Sequence, residues 1–245
     1  MPLPKNPWLN ISWQNTIADC DKNFSFKIGK KKYVFSDSAY VAFVNRKDST
    51  SKKPVEFTFD CLPEPFTGDV NSKVYCLNKN PGKPDILFRG DPNFERITQD
   101  NLSHKLNGTI WTDSLCVTVN GVKHVHGGTE WLRSKTAALR KDLGIGDKNP
   151  NLFFIDYFPY HSTHGFPFPV NLPSREYRDY LVKKAIDEGK IIIVMREKKA
   201  WFKDIPGLET YDKLITLRCA AGGWLSENNM NFAKKCDYND LLAAL

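Results

Sequence analysis

Four short apolar runs mark the chain from residue 73 onward. Val74-Tyr75-Cys76-Leu77 within Lys73–Leu77, Asn151–Tyr157, Ile191–Met195 and Lys213–Leu217 have the length and composition of buried strands. Between them the period changes. Trp131, Leu132, Thr136, Leu139 and Leu143 recur at helical spacing over 129–143, and Gly144 stops that helix. Ser174 is placed to cap a helix over Arg175–Glu188, with Tyr177, Tyr180, Leu181 and Ile186 facing inward and Gly189 beyond its end. A last helix closes the chain, with Ser226 placed to cap it. Strands separated by helical crossovers predict a three-layer α/β/α fold around a central, mostly parallel four-stranded sheet.

Before Phe66 the pattern differs. Residues 24–44 alternate as strands do, with Lys30-Lys31-Lys32 at a hairpin tip, and 45–54 is a polar loop. In Asp60–Asp69, DCLPEPFTGD, two prolines and a glycine predict an irregular, extended lead into the first buried strand. The chain therefore divides into a partly β N-terminal extension, residues 1–65, and an α/β domain, residues 66–245. Residues between Leu77 and Thr129 read as a long, loop-rich insertion.

Composition narrows the setting. With 245 residues, 41% hydrophobic and 26% charged, the chain can bury a full core. No apolar run approaches the roughly 18 residues of a membrane span, and the first ten residues carry no signal-peptide pattern. A cytoplasmic protein without a membrane partner is expected. The six cysteines are scattered with no Cys-x-x-Cys, which predicts reduced thiols. His124/His126 and His161/His164 are spaced like metal ligands, but no cysteine or acid lies close to either pair, so no metal is expected. The net charge of +7 favours a polyanionic partner.

In a parallel sheet the carboxyl ends of the strands share one edge, where open α/β sheets bind ligands. The first strand ends in Asn78-Lys79-Asn80-Pro81-Gly82, and the second runs into Asp156-Tyr157-Phe158-Pro159-Tyr160-His161-Ser162. The third ends in Arg196, and the fourth in Arg218 followed by Gly222-Gly223-Trp224. Plain structural roles exist beside the functional ones. Phe88 and Phe158 also suit a core, Asp156 also suits an ion pair with Arg196, and Trp224 with Leu225 also suits an anchor for the last helix.

These strand ends resemble the uracil-DNA glycosylase superfamily. Its mismatch-type branches carry GINPG or GMNPG after the first core strand, where this chain has Asn80-Pro81-Gly82 behind a Pro-rich lead-in. FFIDYFPYHS is similar to the second core strand, which ends there in a base-reading Asn; Asp156 holds that position. YDKLITLRCAAGGWLSENNMNF looks like the last strand and its DNA-inserting loop. The family opens that loop with HPSP, whereas no His follows His164 here, and Arg218 or Ser226 stands where a substitute would be.

The resemblance implies a hydrolase that cleaves the N-glycosidic bond of a damaged, mismatched or modified base flipped out of DNA, as in base-excision repair. Such a site needs a placed water, a donor toward the departing base, aromatic walls and edge-reading polar groups. On this reading Asn80 and Arg218 are catalytic. Asp156, Tyr157, Phe158, Phe88 and His161 bind the base, with an ionised Asp156 favouring an exocyclic amine. Pro81, Gly82, Gly222, Gly223, Trp224 and Ser226 supply loop and phosphate contacts. No cofactor is required, since hydrolysis needs only water. Two alternatives stand beside it: a catalytically silent relative that binds nucleic acid, or a protein through residues 1–65, and a different α/β enzyme sharing only the Asn-Pro-Gly turn.

Overall fold

The computed structural model describes residues 4–28, 31–34, 41–44, 55–109, 111–112, 114–162 and 171–245. The loop 45–54, Lys30 and His164 lie outside the described residues. The strands are β1 (Ser25–Ile28), β2 (Lys31–Val34), β3 (Val41–Val44), β4 (Val55–Thr58), β5 (Phe66–Thr67), β6 (Val74–Asn78), β7 (Cys116–Val119), β8 (Val122–Val125), β9 (Leu152–Asp156), β10 (His161–Ser162), β11 (Ile191–Val194), β12 (Leu214–Leu217) and β13 (Met230–Phe232). The helices are α1 (Pro92–Leu102), α2 (Gly127–Asp142), α3 (Arg175–Asp187), α4 (Lys198–Asp204) and α5 (Tyr238–Ala244).

The chain is a mixed α/β protein whose main sheet is mostly parallel, in the order β13-β12-β11-β6-β9-β5. Its four middle strands are the four apolar runs of the sequence, running parallel. Residues 152–156, 191–194 and 214–217 are buried throughout, which is the signature of strands covered on both faces. The sheet has six strands rather than four. β5 pairs antiparallel with β9 and β13 with β12, each too short to leave a readable pattern in the sequence. Beside β5, Gly68 takes φ +116°, and a Cβ there would lie 2.4 Å from the Leu152 carbonyl oxygen. Only glycine fits that approach.

β1 and β2 form an antiparallel hairpin, and β3, β4 and β10 form a three-stranded sheet. Trp8, Ile17, Phe59 and Leu62 belong to the same buried cluster as Tyr75 and Phe153 of the main sheet. Asp21 ties this stretch to α3: its carboxylate accepts from Tyr160 OH at 2.8 Å, Ser174 N–H at 2.9 Å and Ser174 Oγ at 2.7 Å. Ser174 therefore spends its hydroxyl on Asp21 and makes no side-chain cap on α3.

Two further expectations are corrected. The loop-rich insertion contains α1, capped by Asp91 with Pro92 in its first turn, and the hairpin β7–β8 turning at Asn120-Gly121. Past Gly223 the chain enters a 3₁₀ turn at Glu227–Asn229 and then β13, so Ser226 caps no α-helix and makes no side-chain cap bond. The final helix is α5, closed by a capping box between Asp237 and Asp240. No helix among the described residues is long and apolar enough to cross a membrane. All six cysteines are free thiols.

Candidate functional site

Register fixes what meets at the carboxyl edge. Asn78 lies opposite Asp156, and Leu77 opposite Val194. The Asn78 carbonyl accepts from Tyr157 N–H at 3.3 Å and Trp201 Nε1 at 3.0 Å, and the Lys79 carbonyl accepts from Phe158 N–H at 2.9 Å. The chain leaving β9 is thereby bonded along the chain leaving β6. It returns as β10, which brings His161 and Ser162 against the Asn80-Pro81-Gly82 turn. Asn80 Nδ2 donates to Ser162 Oγ at 2.8 Å and to the Pro81 carbonyl. His161 Nδ1 lies 3.0 Å from the Gly82 carbonyl oxygen.

The other ring nitrogen of His161 brings in a residue that the sequence reading did not single out. Nε2 lies 3.0 Å from the Leu62 carbonyl oxygen and 3.6 Å from Glu64 Oε1. Glu64 is fixed in place by its own N–H donating to the Pro159 carbonyl at 2.8 Å, and Pro65 by its carbonyl accepting from Asp156 N–H at 2.9 Å. The Pro-rich lead-in is thus stitched to both sides of the strand end.

Three titratable groups meet here, Asp156 and His161 buried and Glu64 half-buried. Burial, reinforced by the neighbouring Asp156, pushes the Glu64 carboxyl well above the ordinary carboxylate range. Burial also raises Asp156 strongly, outweighing the Asn78 side chain and the Arg196 charge. Asp156 is 9% exposed, and its Oδ1 has no hydrogen-bond partner among the described residues. Burial lowers His161 against the pull of the two carbonyls it faces. Both ring nitrogens face acceptors, an arrangement that only imidazolium satisfies in full. The expectation of an ionised Asp156 is therefore corrected: burial holds it toward the neutral acid, which has both a donor and an acceptor.

The remaining candidates are dispersed. Phe88 is 1% exposed, its ring 4.7 Å from His126 and 5.7 Å from Phe94, so it is core. Phe158 is likewise buried, packed on Tyr160. Tyr157 donates to Asp204 at 2.7 Å and lies under the Arg178 guanidinium, 4.2 Å from its ring centroid. Arg196 makes no ion pair with Asp156; its Nη2 donates to the Ala221 carbonyl at 3.0 Å. Arg218 is exposed, its Nε donating to Asn231 Oδ1 at 3.0 Å. It lies three strands from Asp156, about 15 Å at normal strand spacing. Leu225 is buried and Ser226 half-buried, while Trp224, 51% exposed, lays its ring against Gly222.

A cavity of about 10 Å³ beside Asp156, Tyr157, Pro65 and Arg178 has the volume of one water rather than of a base. Among the described residues no cluster of three metal-ligating side chains forms. His126 instead accepts from Gly128 N–H at the start of α2 and stacks 4.5 Å from Trp111. Comparison of the chain with protein-family models, with curated proteins and with solved structures finds no match.

The arrangement suits acid–base chemistry. Two carboxyl groups in one poorly solvated place cannot both ionise freely, which raises the proton affinity of the pair. An amide, Asn80, is held on the adjoining turn through Ser162, the residue after His161.

Proposed function

We propose that the chain is a hydrolase of N-glycosidic bonds acting on a base flipped out of DNA, a divergent relative of the uracil-DNA glycosylase superfamily with a three-layer α/β/α fold. The observation that carries this reading is the set of half-buried Glu64 with buried Asp156 and His161 against the Asn80-Pro81-Gly82 turn at the carboxyl edge of the parallel sheet. Asn80, an amide and no base, orients the attacking water. Glu64, whose proton affinity burial raises, accepts the water's proton. Asp156 in its neutral form offers an O–H donor beside a C=O acceptor, the same pattern as an amide. It therefore reads a base edge with adjacent keto and N–H groups, and its proton meets the charge on the departing base. The six free thiols fit a reducing, cytoplasmic setting.

A catalytically silent nucleic-acid-binding relative is the second reading. Two observations favour it: the Asn80 amide is already bonded to Ser162 and Pro81, and Arg218 is turned to Asn231, away from the Asp156 strand end. One assay separates the two. Oligonucleotides holding uracil, hypoxanthine, mismatched or modified cytosines are scored for alkali-labile breaks, with Asn80→Ala as control and Asp156→Asn beside it. The hydrolase reading expects breaks at keto bases that vanish in Asn80→Ala and keep their base preference in Asp156→Asn. Uncut DNA that is retained at low salt supports the silent relative.

A further inference from the structure

On the same edge, away from the carboxyl set, two cations converge without an anion between them. Lys135, on α2, lays its stem along Gly223: a Cβ there would meet its Cδ at 3.8 Å and Cε at 3.9 Å. Its ammonium lies 5.5 Å from the Trp224 ring centroid, and its carbonyl accepts from Leu225 N–H at 2.8 Å. Arg196, at the end of β11, grips the same loop through Ala221. The loop is braced from its far side by Asn229, which accepts from Cys219 N–H and donates to the Trp224 carbonyl, both at 2.8 Å.

Among the described residues neither Lys135 nor Arg196 forms an ion pair with a carboxylate. Glu197, next in sequence to Arg196, is held by Lys79 at 2.5 Å. Asp156, whose field Arg196 feels, is buried and held toward neutrality. Burial first, and Arg196 second, pull Lys135 below the ordinary lysine value, so the two cations sense each other. Arg196 spends one of five guanidinium donors, and the Lys135 ammonium donates to no acceptor among the described residues. The amides of Gly222 and Trp224 likewise donate to no acceptor among the described residues, and Gly223 between them is left-handed at φ +63°. The Gly223 amide itself donates to the Cys219 carbonyl at 3.4 Å, so the two free donors stand on either side of a closed turn. Holding like charges together over a fixed loop with free amides is unfavourable until an anion joins them.

We propose that Lys135, Arg196 and the loop 221–224 form a seat for one backbone phosphate of a DNA strand lying across the carboxyl edge. The choice of a strand rests on the hydrolase reading above, but the seat is measurable without turnover. Its place two to three strands from Asp156 lets a strand be held on one side of the edge while a base is read on the other.

The test is fluorescence anisotropy with a labelled single-stranded oligonucleotide, titrated over salt, on the full chain. Lys135→Gln and Arg196→Gln are each expected to weaken binding at least fivefold at low salt. Each should flatten the slope of log K against log salt by about 0.7, the contribution of one single-stranded phosphate contact. Lys135→Arg keeps the charge and should keep the slope, and Lys73→Gln, at the opposite end of the sheet, should bind as wild type. Unchanged affinity and slope in both glutamine variants overturns the proposal, as does a wild type that binds no strand. Inorganic phosphate that displaces the probe as well as an unlabelled strand, at equal phosphate concentration, overturns the strand in favour of free phosphate. Slope lost as expected in a wild type that excises no base keeps the seat and sinks the hydrolase reading; excision with an unchanged slope does the reverse.

Discussion

Arg178 and Asp156 are 7% and 9% exposed, flank the same tyrosine, and lie in opposite electrostatic surroundings. The Arg178 guanidinium donates to Asp179 at 2.6 and 2.8 Å, to Asp204 at 2.9 Å and to the Tyr157 carbonyl at 2.8 Å, with Trp201 and Tyr157 rings against its face. Burial alone would raise Asp204, yet bonds from Tyr157 and Arg178 outweigh it and hold that carboxyl below its ordinary value. Asp179, buried more deeply, is still nudged upward. Asp156 has an orphan oxygen and a second carboxyl, Glu64, nearby, and the Asn78 side chain and the Arg196 charge do not offset its burial. The first cluster satisfies its charges and so serves the fold. The second holds groups in states that cost stability, which is what a proposal of chemistry at this edge rests on.

Removing Arg178 should break the contrast most forcefully. Arg178→Ala leaves Asp179 and Asp204 without their buried cation and uncovers Tyr157, so denaturant unfolding should show a loss of about 3–5 kcal/mol. A loss under about 1 kcal/mol would mean the network is no better satisfied in energy than the Glu64 cluster.

Glu64→Gln tests the other side. On the proposed hydrolase reading, excision of a keto base should fall by about a hundredfold or more, the usual size of a general-base contribution, while the folded state holds or gains stability. The pH dependence gives an independent readout. Glu64 and Asp156 are both raised in the folded chain, so from about pH 4 upward the folded state binds more protons than the unfolded one. Their contribution is full below that range and is lost as pH rises toward the folded values. Glu64→Gln should therefore flatten the decline of stability between acid and neutral pH. Asp21 and Asp179, raised as well, remain in both proteins and cancel in the difference. A difference curve that is flat from pH 4 to 7 would place Glu64 among ordinary surface acids.

The sequence made the satisfied and unsatisfied clusters legible to different degrees. The four parallel strands announce themselves, because double burial forces unbroken apolar runs. Asn80, Asp156 and His161 follow from where those runs stop. Glu64 does not: its position is set by bonds from the lead-in to Pro159 and Asp156, made across more than ninety residues of chain. An acid between two prolines just before a buried strand is the one trace it leaves. Phe88 and Phe158 show the converse error, since whether a ring is wall or core depends on partners such as His126 and Tyr160 that only the tertiary fold supplies. The insertion was readable in part: Asp91-Pro92 is a helix start, and Asn120-Gly121 between valines is a hairpin turn.

Tyr157 stands between the two clusters, and its hydroxyl belongs to only one of them. Its OH donates to Asp204, its ring packs on Trp201 at 5.1 Å, and its N–H bonds the Asn78 carbonyl at the strand end. Tyr157→Phe keeps the ring and the backbone, and removes one bond to a carboxylate that still has Arg178. The expected cost is about 1 kcal/mol in unfolding free energy, with Asp204 titrating closer to its ordinary value in carboxyl-detected NMR. Base preference and excision rate should stay as in wild type, because the ring is already covered by Arg178 and the hydroxyl points away from Asp156. A changed base preference in Tyr157→Phe would move the tyrosine into the reading set and dissolve the boundary between the cluster that holds the fold and the one proposed to do chemistry.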